Sequence, residues 1–227
     1  MGIDVPLMLV GQSAGAYELL LLADRRAGQV AGMVLLDPSF PGQAEAAMQA
    51  APALNDPNFE DPQVAMLQGC AAAMRDGSAA ERRECLVYPP VFPAVLAAKL
   101  AAHADGNALL FESAASFIGG FAGNSAMVVD PARDYGDMPL TVLTALDRAL
   151  PPDMPEDMRA GFAAFDVHWF AAHEALAALS TRGIDARVPG GTHALQISKP
   201  QVVIDAVEAV VREIRTTMPI ASQRFQP

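Results

Sequence analysis

The chain has 227 residues, 52 % of them hydrophobic, and a formal net charge of −11. That size and apolar content suit one globular domain of α/β type. An acidic chain without a basic patch excludes nucleic acid and anionic membrane surfaces as natural partners, and no uninterrupted apolar run reaches the ~18 residues of a membrane span.

The first element is the run Val5-Pro6-Leu7-Met8-Leu9-Val10, followed at once by Gly11-Gln12-Ser13-Ala14-Gly15 and then by a helical stretch from Ala16 to Arg26. This reads as strand, tight turn with a serine at its tip, and helix. The turn forces the serine backbone into a strained conformation, and glycine on either side lets strand and helix approach closely. A hydroxyl placed there stands at a helix N-terminus, whose free N–H groups favour negative charge. Composition alone yields Gly-x-Ser-x-Gly in roughly 5 % of such chains, so the flanking strand and helix carry more weight than the bare pattern.

A second strand follows, Gly32-Met33-Val34-Leu35-Leu36, apolar throughout as in strands covered on both faces. It ends in Asp37-Pro38-Ser39. From 42 to 127 the pattern changes to Ala-rich helical stretches at 44–51, 62–75, 93–103 and 109–117, broken by Pro and Gly clusters at 52–57 and 88–90. The apolar residues there (Met48, Met66, Leu67, Phe92, Phe111, Phe117, Phe121) are expected mostly in a core by default, a few of them being candidates to line an acyl pocket. His103 falls on a solvated helix end. Cys70 and Cys85 flank a polar turn, which allows either a disulfide in an oxidising compartment or two separate thiols in the cytoplasm.

The strand at 140–145 precedes Leu146-Asp147-Arg148. An acidic Pro-rich loop over 151–157 leads to a helix at 162–179 with His168, Trp169 and His173. The two histidines are five apart and do not share a face as an i, i+4 metal pair does, so both read as surface or partly packed residues. A short strand at 183–189 ends in Gly190-Gly191-Thr192-His193. A closing helix at 200–215 carries apolar Val202, Val203, Ala206, Val207, Val210, Val211 and Ile214 at helical spacing, and the tail 218–227 reads as loose.

The chemistry in this pattern belongs to Ser13. A serine hydroxyl is a weak nucleophile that needs a base, and the base needs an orienting group. His193, in a Gly-rich loop after the last strand, fits the base by position. Two acids are open, Asp37 after the second strand and Asp147 after the third, because both strand ends lie on one sheet edge. No His/Asp/Glu cluster has metal-ligand spacing, and no cofactor is called for.

The residues Gly11 to Gly15, the strand ending in Asp37-Pro38-Ser39, the strand into Thr144, and Gly191-Thr192-His193 resemble an α/β-hydrolase-fold serine hydrolase, most closely bacterial esterase-like members. The resemblance implies a mostly parallel sheet with helices on both faces and a helical cap insertion. It divides the chain into 1–41 (core with the serine turn), 42–127 (cap), 128–217 (the later core) and 218–227 (tail). It implies hydrolysis of an ester or related acyl bond of a small-molecule substrate. Ser13 forms an acyl-enzyme, His193 relays the proton, Asp37 or Asp147 holds the histidine, and the Ala14 N–H donates to the oxyanion. Acyl transfer or perhydrolysis on the same fold, and a binding domain without turnover, are the other readings. With the serine strand first in order, the early strands of that fold and its second oxyanion donor are expected in a segment upstream of this sequence.

Overall fold

The computed structural model describes residues 6–51, 62–88 and 92–217. These divide into two compact units, one of Met1–Ala53 with Ser125–Pro227, the other Leu54–Asn124. The second unit falls within residues 42–127. The Pro-rich stretch 52–57, most of the cluster 88–90 and the tail 218–227 lie outside the described residues.

The first unit is built on four parallel strands in sequential order: β1 (Leu7–Gln12), β2 (Val30–Leu36), β3 (Leu140–Ala145) and β4 (Gly183–Val188). Alternation along the strands divides the core in two. Met33 and Leu35 of β2 and Leu140 and Val142 of β3 face one side, with Ala16 and Leu20 of α1 (Gly15–Arg25) and Trp169 and Leu176 of α8 (Glu156–Ala177). Val34, Leu36, Leu143 and Ala145 face the other, with Val188, Leu195 and Val210. Val210 belongs to α10 (Pro200–Thr217). Side chains fully buried in this way contribute about 1.5–3 kcal/mol each, so the two layers fix the strand register that carries the site. Close approach has a cost in residue choice: a Cβ at Gly32 would lie 2.6 Å from Val210 Cγ1 and 2.8 Å from Ile214 Cδ1.

At the N-terminal ends of the strands, Arg133 is almost wholly buried and pairs with Asp24 of α1 at 2.8 Å, while its other amino group donates to Val128 O. Tyr135 Oη donates to the same carboxylate. Burial, reinforced by the Asp24 charge, pushes the Tyr135 phenol far above its usual range. This cluster is the anchor that ties the approach to β3 onto α1.

α2 (Gln43–Ala50) completes the helices before the second unit. That unit holds α3 (Pro62–Asp76), α4 (Ala79–Glu84), α5 (Ala94–Ala104) and α6 (Ala108–Gly119), and α7 (Phe121–Met127) runs across the division after Asn124. Arg75 of α3 pairs with Glu112 of α6. α4, absent from the helical stretches read in the sequence, starts at a capping box in which Ser78 Oγ accepts the Glu81 N–H and Glu81 accepts the Ser78 N–H. Cys70 and Cys85 form a disulfide between α3 and the end of α4. Met66, Phe117 and, in the first unit, Met48 are exposed rather than in a core. α9 (Leu195–Ser198) is a single turn before α10. Among the described residues no helix is long and apolar enough to cross a membrane.

Candidate active site

Ser13 follows β1 directly and has φ = +55°, in the left-handed region that non-glycine residues enter at a cost of about 1–3 kcal/mol. Backbone bonds hold it there. Its N–H donates to Leu36 O at 3.1 Å, and its carbonyl accepts the Ser39 N–H and the Ala16 N–H, both at 3.0 Å. The strained serine is therefore locked to the end of β2 as well as to α1. The flanking glycines differ from the sequence expectation. A Cβ at Gly11 would meet Leu19 Cδ1 at 2.6 Å, whereas one at Gly15 would meet nothing within 4 Å. Close packing accounts for Gly11 only. Ala14, the N-cap of α1, is buried.

Asp37 follows β2 and is, among the described residues, the other non-glycine residue with positive φ, +42°. Its N–H donates to Leu143 O at 2.7 Å. The side chain is fully buried and fully used. Oδ1 accepts the Ala145 N–H at 3.0 Å and the Trp169 Nε1–H at 3.3 Å, and Oδ2 lies 2.7 Å from His193 Nδ1. A carboxylate can only accept, so Nδ1 carries the hydrogen and Nε2 presents its lone pair. Nε2 is 3.0 Å from Ser13 Oγ. His193 is held from behind by Gln12, whose Nε2–H donates to the His193 carbonyl at 3.0 Å. About half of the His193 side chain is open to solvent, while Asp37 is wholly enclosed. The arrangement can take a proton from Ser13 Oγ and hold the resulting imidazolium beside a buried negative charge.

Asp147, the alternative acid, is exposed and is tied through its backbone N–H to Gly191 O at 2.9 Å. The structure thus brings together Ser13, His193 and Asp37 and leaves Asp147 on the surface. His103 and His168 are also exposed. Among the described residues no group of three or more His, Cys, Asp or Glu side chains could hold a metal ion.

Two residues of α8 belong to this site without having been read from the sequence. Trp169 bonds Asp37, packs its ring 6.3 Å from that of His193 and lies beneath the Arg148 guanidinium at 4.6 Å. His173 is buried, with Nε2 2.9 Å from Pro38 O and Nδ1 2.7 Å from Thr144 Oγ1. Burial pushes its pKa down, opposed by the Pro38 carbonyl and the charges of Asp37 and Asp185. The signal was the spacing of four between Trp169 and His173, which puts both on one helix face. The spacing of five between the histidines concealed it.

No protein-family profile and no curated protein sequence matches the chain. Solved structures do. A candidate lipase from Acinetobacter baumannii AYE aligns with a TM-score of 0.52 at 14 % identity, over 95 % of this chain and 63 % of that one. A malate-bound thermophilic esterase from Thermogutta terrifontis aligns at 0.45 and 18 %, over 92 % of this chain and 66 % of that one. A peroxisomal α-β-hydrolase from Saccharomyces cerevisiae aligns at 0.48 and 12 %, over 97 % and 57 %. The chain thus spans 57–66 % of the length of these proteins. At such identities the likeness is one of fold, and the fold is that of the α/β hydrolases.

Proposed function

We propose that the chain carries the reacting groups of a serine hydrolase that cleaves a carboxylic ester or related acyl bond. The observation that supports this most strongly is the unbroken series Ser13 Oγ–His193 Nε2 at 3.0 Å and His193 Nδ1–Asp37 Oδ2 at 2.7 Å. Ser13 Oγ attacks the acyl carbonyl as its proton passes to His193 Nε2. Asp37 keeps the ring in the Nδ1–H tautomer and stabilises the imidazolium. The Ala14 N–H, at the start of α1, donates to the oxyanion. The imidazolium returns its proton to the leaving alkoxide, giving an alcohol and an acyl-Ser13. Water, deprotonated by His193, then releases the acid and restores the serine. In this reading the acid is Asp37 and the substrate is a small or medium apolar acyl ester.

The test is hydrolysis of p-nitrophenyl acetate and butyrate, with Ser13→Ala as control. Turnover and covalent labelling by a fluorophosphonate that both depend on Ser13 support the reading; binding of a substrate analogue without either favours a non-catalytic domain. The Cys70–Cys85 disulfide supports maturation in an oxidising compartment. Unreduced mass spectrometry of the protein made in such a compartment tests that, and finding both thiols free overturns it.

A further inference from the structure

The turn that presents Asp37 is held at three successive points. The Asp37 N–H donates to Leu143 O of β3, the Pro38 carbonyl faces His173 Nε2 of α8 at 2.9 Å, and the Ser39 N–H donates to Ser13 O. The first and third are backbone bonds. The middle one depends on a side chain. A carbonyl can only accept, so His173 Nε2 carries a hydrogen and donates it to Pro38 O. Residues 37–40 are all buried, so no solvent stands ready to replace that donor.

The ring is clamped at its other end too. Nδ1 lies 2.7 Å from Thr144 Oγ1, at the end of β3, and Thr144 Oγ1 lies 2.5 Å from Asp185 Oδ1 on β4. Asp185 Oδ2 is in turn 2.9 Å from Arg187 Nε. His173 thus stands between Thr144 of β3, with Asp185 of β4 behind it, and the peptide that follows a residue held at φ = +42°. A strained residue persists only where its surroundings over-determine it. One turn earlier on the same helix face, Trp169 bonds the Asp37 carboxylate itself.

We infer that His173 is a positioning residue: through the Pro38 carbonyl it holds the Asp37 turn so that Asp37 Oδ2 stays on His193 Nδ1. The inference rests on reading Ser13, His193 and Asp37 as the reacting set. His173 touches no reacting atom, and its effect passes through one backbone carbonyl.

The test compares His173→Phe, which fills the space without a donor, with His173→Gln, whose amide N–H can reach Pro38 O. It uses the 227-residue protein labelled with ¹⁵N-histidine. At alkaline pH, ¹⁵N shifts report which nitrogen of neutral His193 carries the proton, and His193→Ala assigns the signals. In the wild type the proton sits on Nδ1. In His173→Phe it redistributes toward Nε2, kcat for p-nitrophenyl acetate falls about tenfold and KM stays within about twofold. His173→Gln restores both. Thr144→Val, which releases the other end of the ring, gives a smaller change in the same direction and serves if His173→Phe does not fold. A His173→Phe protein that melts lower yet keeps the Nδ1–H tautomer overturns the inference, since His173 is then only a core residue. If the tautomer shifts but no variant or wild type turns over ester, the hydrolase reading falls and the positioning role stands.

Discussion

Asp37 Oδ2 and His193 Nδ1 lie 2.7 Å apart although 156 residues separate them in the chain. The parallel sheet makes this possible: Asp37 leaves the end of β2, and His193 lies in the loop that leaves β4, at the same edge. Both backbone N–H and carboxylate of Asp37 bond to β3, so its position follows from strand register rather than from the loop alone.

Replacing Asp37 by Asn keeps the shape but offers His193 an amide that can hold the wrong tautomer. Ester hydrolysis is expected to fall by about 10³–10⁴ in kcat. Asp147→Asn, on the surface, is expected to leave kcat within about twofold. Parallel steady-state kinetics on p-nitrophenyl butyrate check the pair, and a larger loss at Asp147 reverses the assignment of the acid.

Gly32→Ala puts a Cβ 2.6 Å from the buried Val210 and 2.8 Å from Ile214, so α10 must move away from β2. Overpacking of this kind costs about 1–3 kcal/mol. Thermal unfolding followed by circular dichroism is expected to show a lowered Tm. An unchanged Tm means that α10 is not seated on β2 as described.

The disulfide closes a sequence separation of 15 residues inside the second unit. In the chain-entropy account such a loop is worth about 3 kcal/mol. Reduction, or Cys70→Ala with Cys85→Ala, is expected to speed proteolytic cleavage within 62–88 while Ser13 labelling by a fluorophosphonate persists. Equal cleavage rates before and after reduction contradict this.

His173 gives the protein a pH dependence of stability. Burial holds its folded pKa below the ordinary imidazole value of about 6.5. The unfolded chain therefore binds the proton more readily, and the contribution of neutral His173 is complete above pH 6.5 and is lost as pH falls below it. Tm measured against pH is expected to decline on acidification from about 6.5, and less steeply in His173→Gln. Identical slopes in the two proteins contradict this.

The serine turn and the histidine loop were legible because each needs local chemistry that the sequence writes out: a strand, a tight turn and a helix around Ser13, and a glycine pair before His193. The choice between Asp37 and Asp147 was not legible. The two differ in geometry that depends on how β2 pairs with β3: Asp37 accepts the Ala145 N–H and stands 2.7 Å from His193 Nδ1, whereas Asp147 is exposed. Trp169 carried no reading, and His173 read as a surface or partly packed residue, because the sequence of a helix does not say what its face meets 132 and 135 residues earlier in the chain. The capping box Ser78-Ala79-Ala80-Glu81, by contrast, was a local signal for α4 that the polar turn around it masked. The disulfide was open because spacing allows it and only the placement of α3 and α4 brings the two Cα atoms to 5.6 Å.

The most direct measurement is reaction of the chain with a fluorophosphonate, followed by peptide mass spectrometry and by p-nitrophenyl acetate turnover. The account predicts a single adduct on Ser13 and turnover that falls at least ~10³-fold in Ser13→Ala. An unlabelled Ser13 together with turnover unchanged by Ser13→Ala would contradict it.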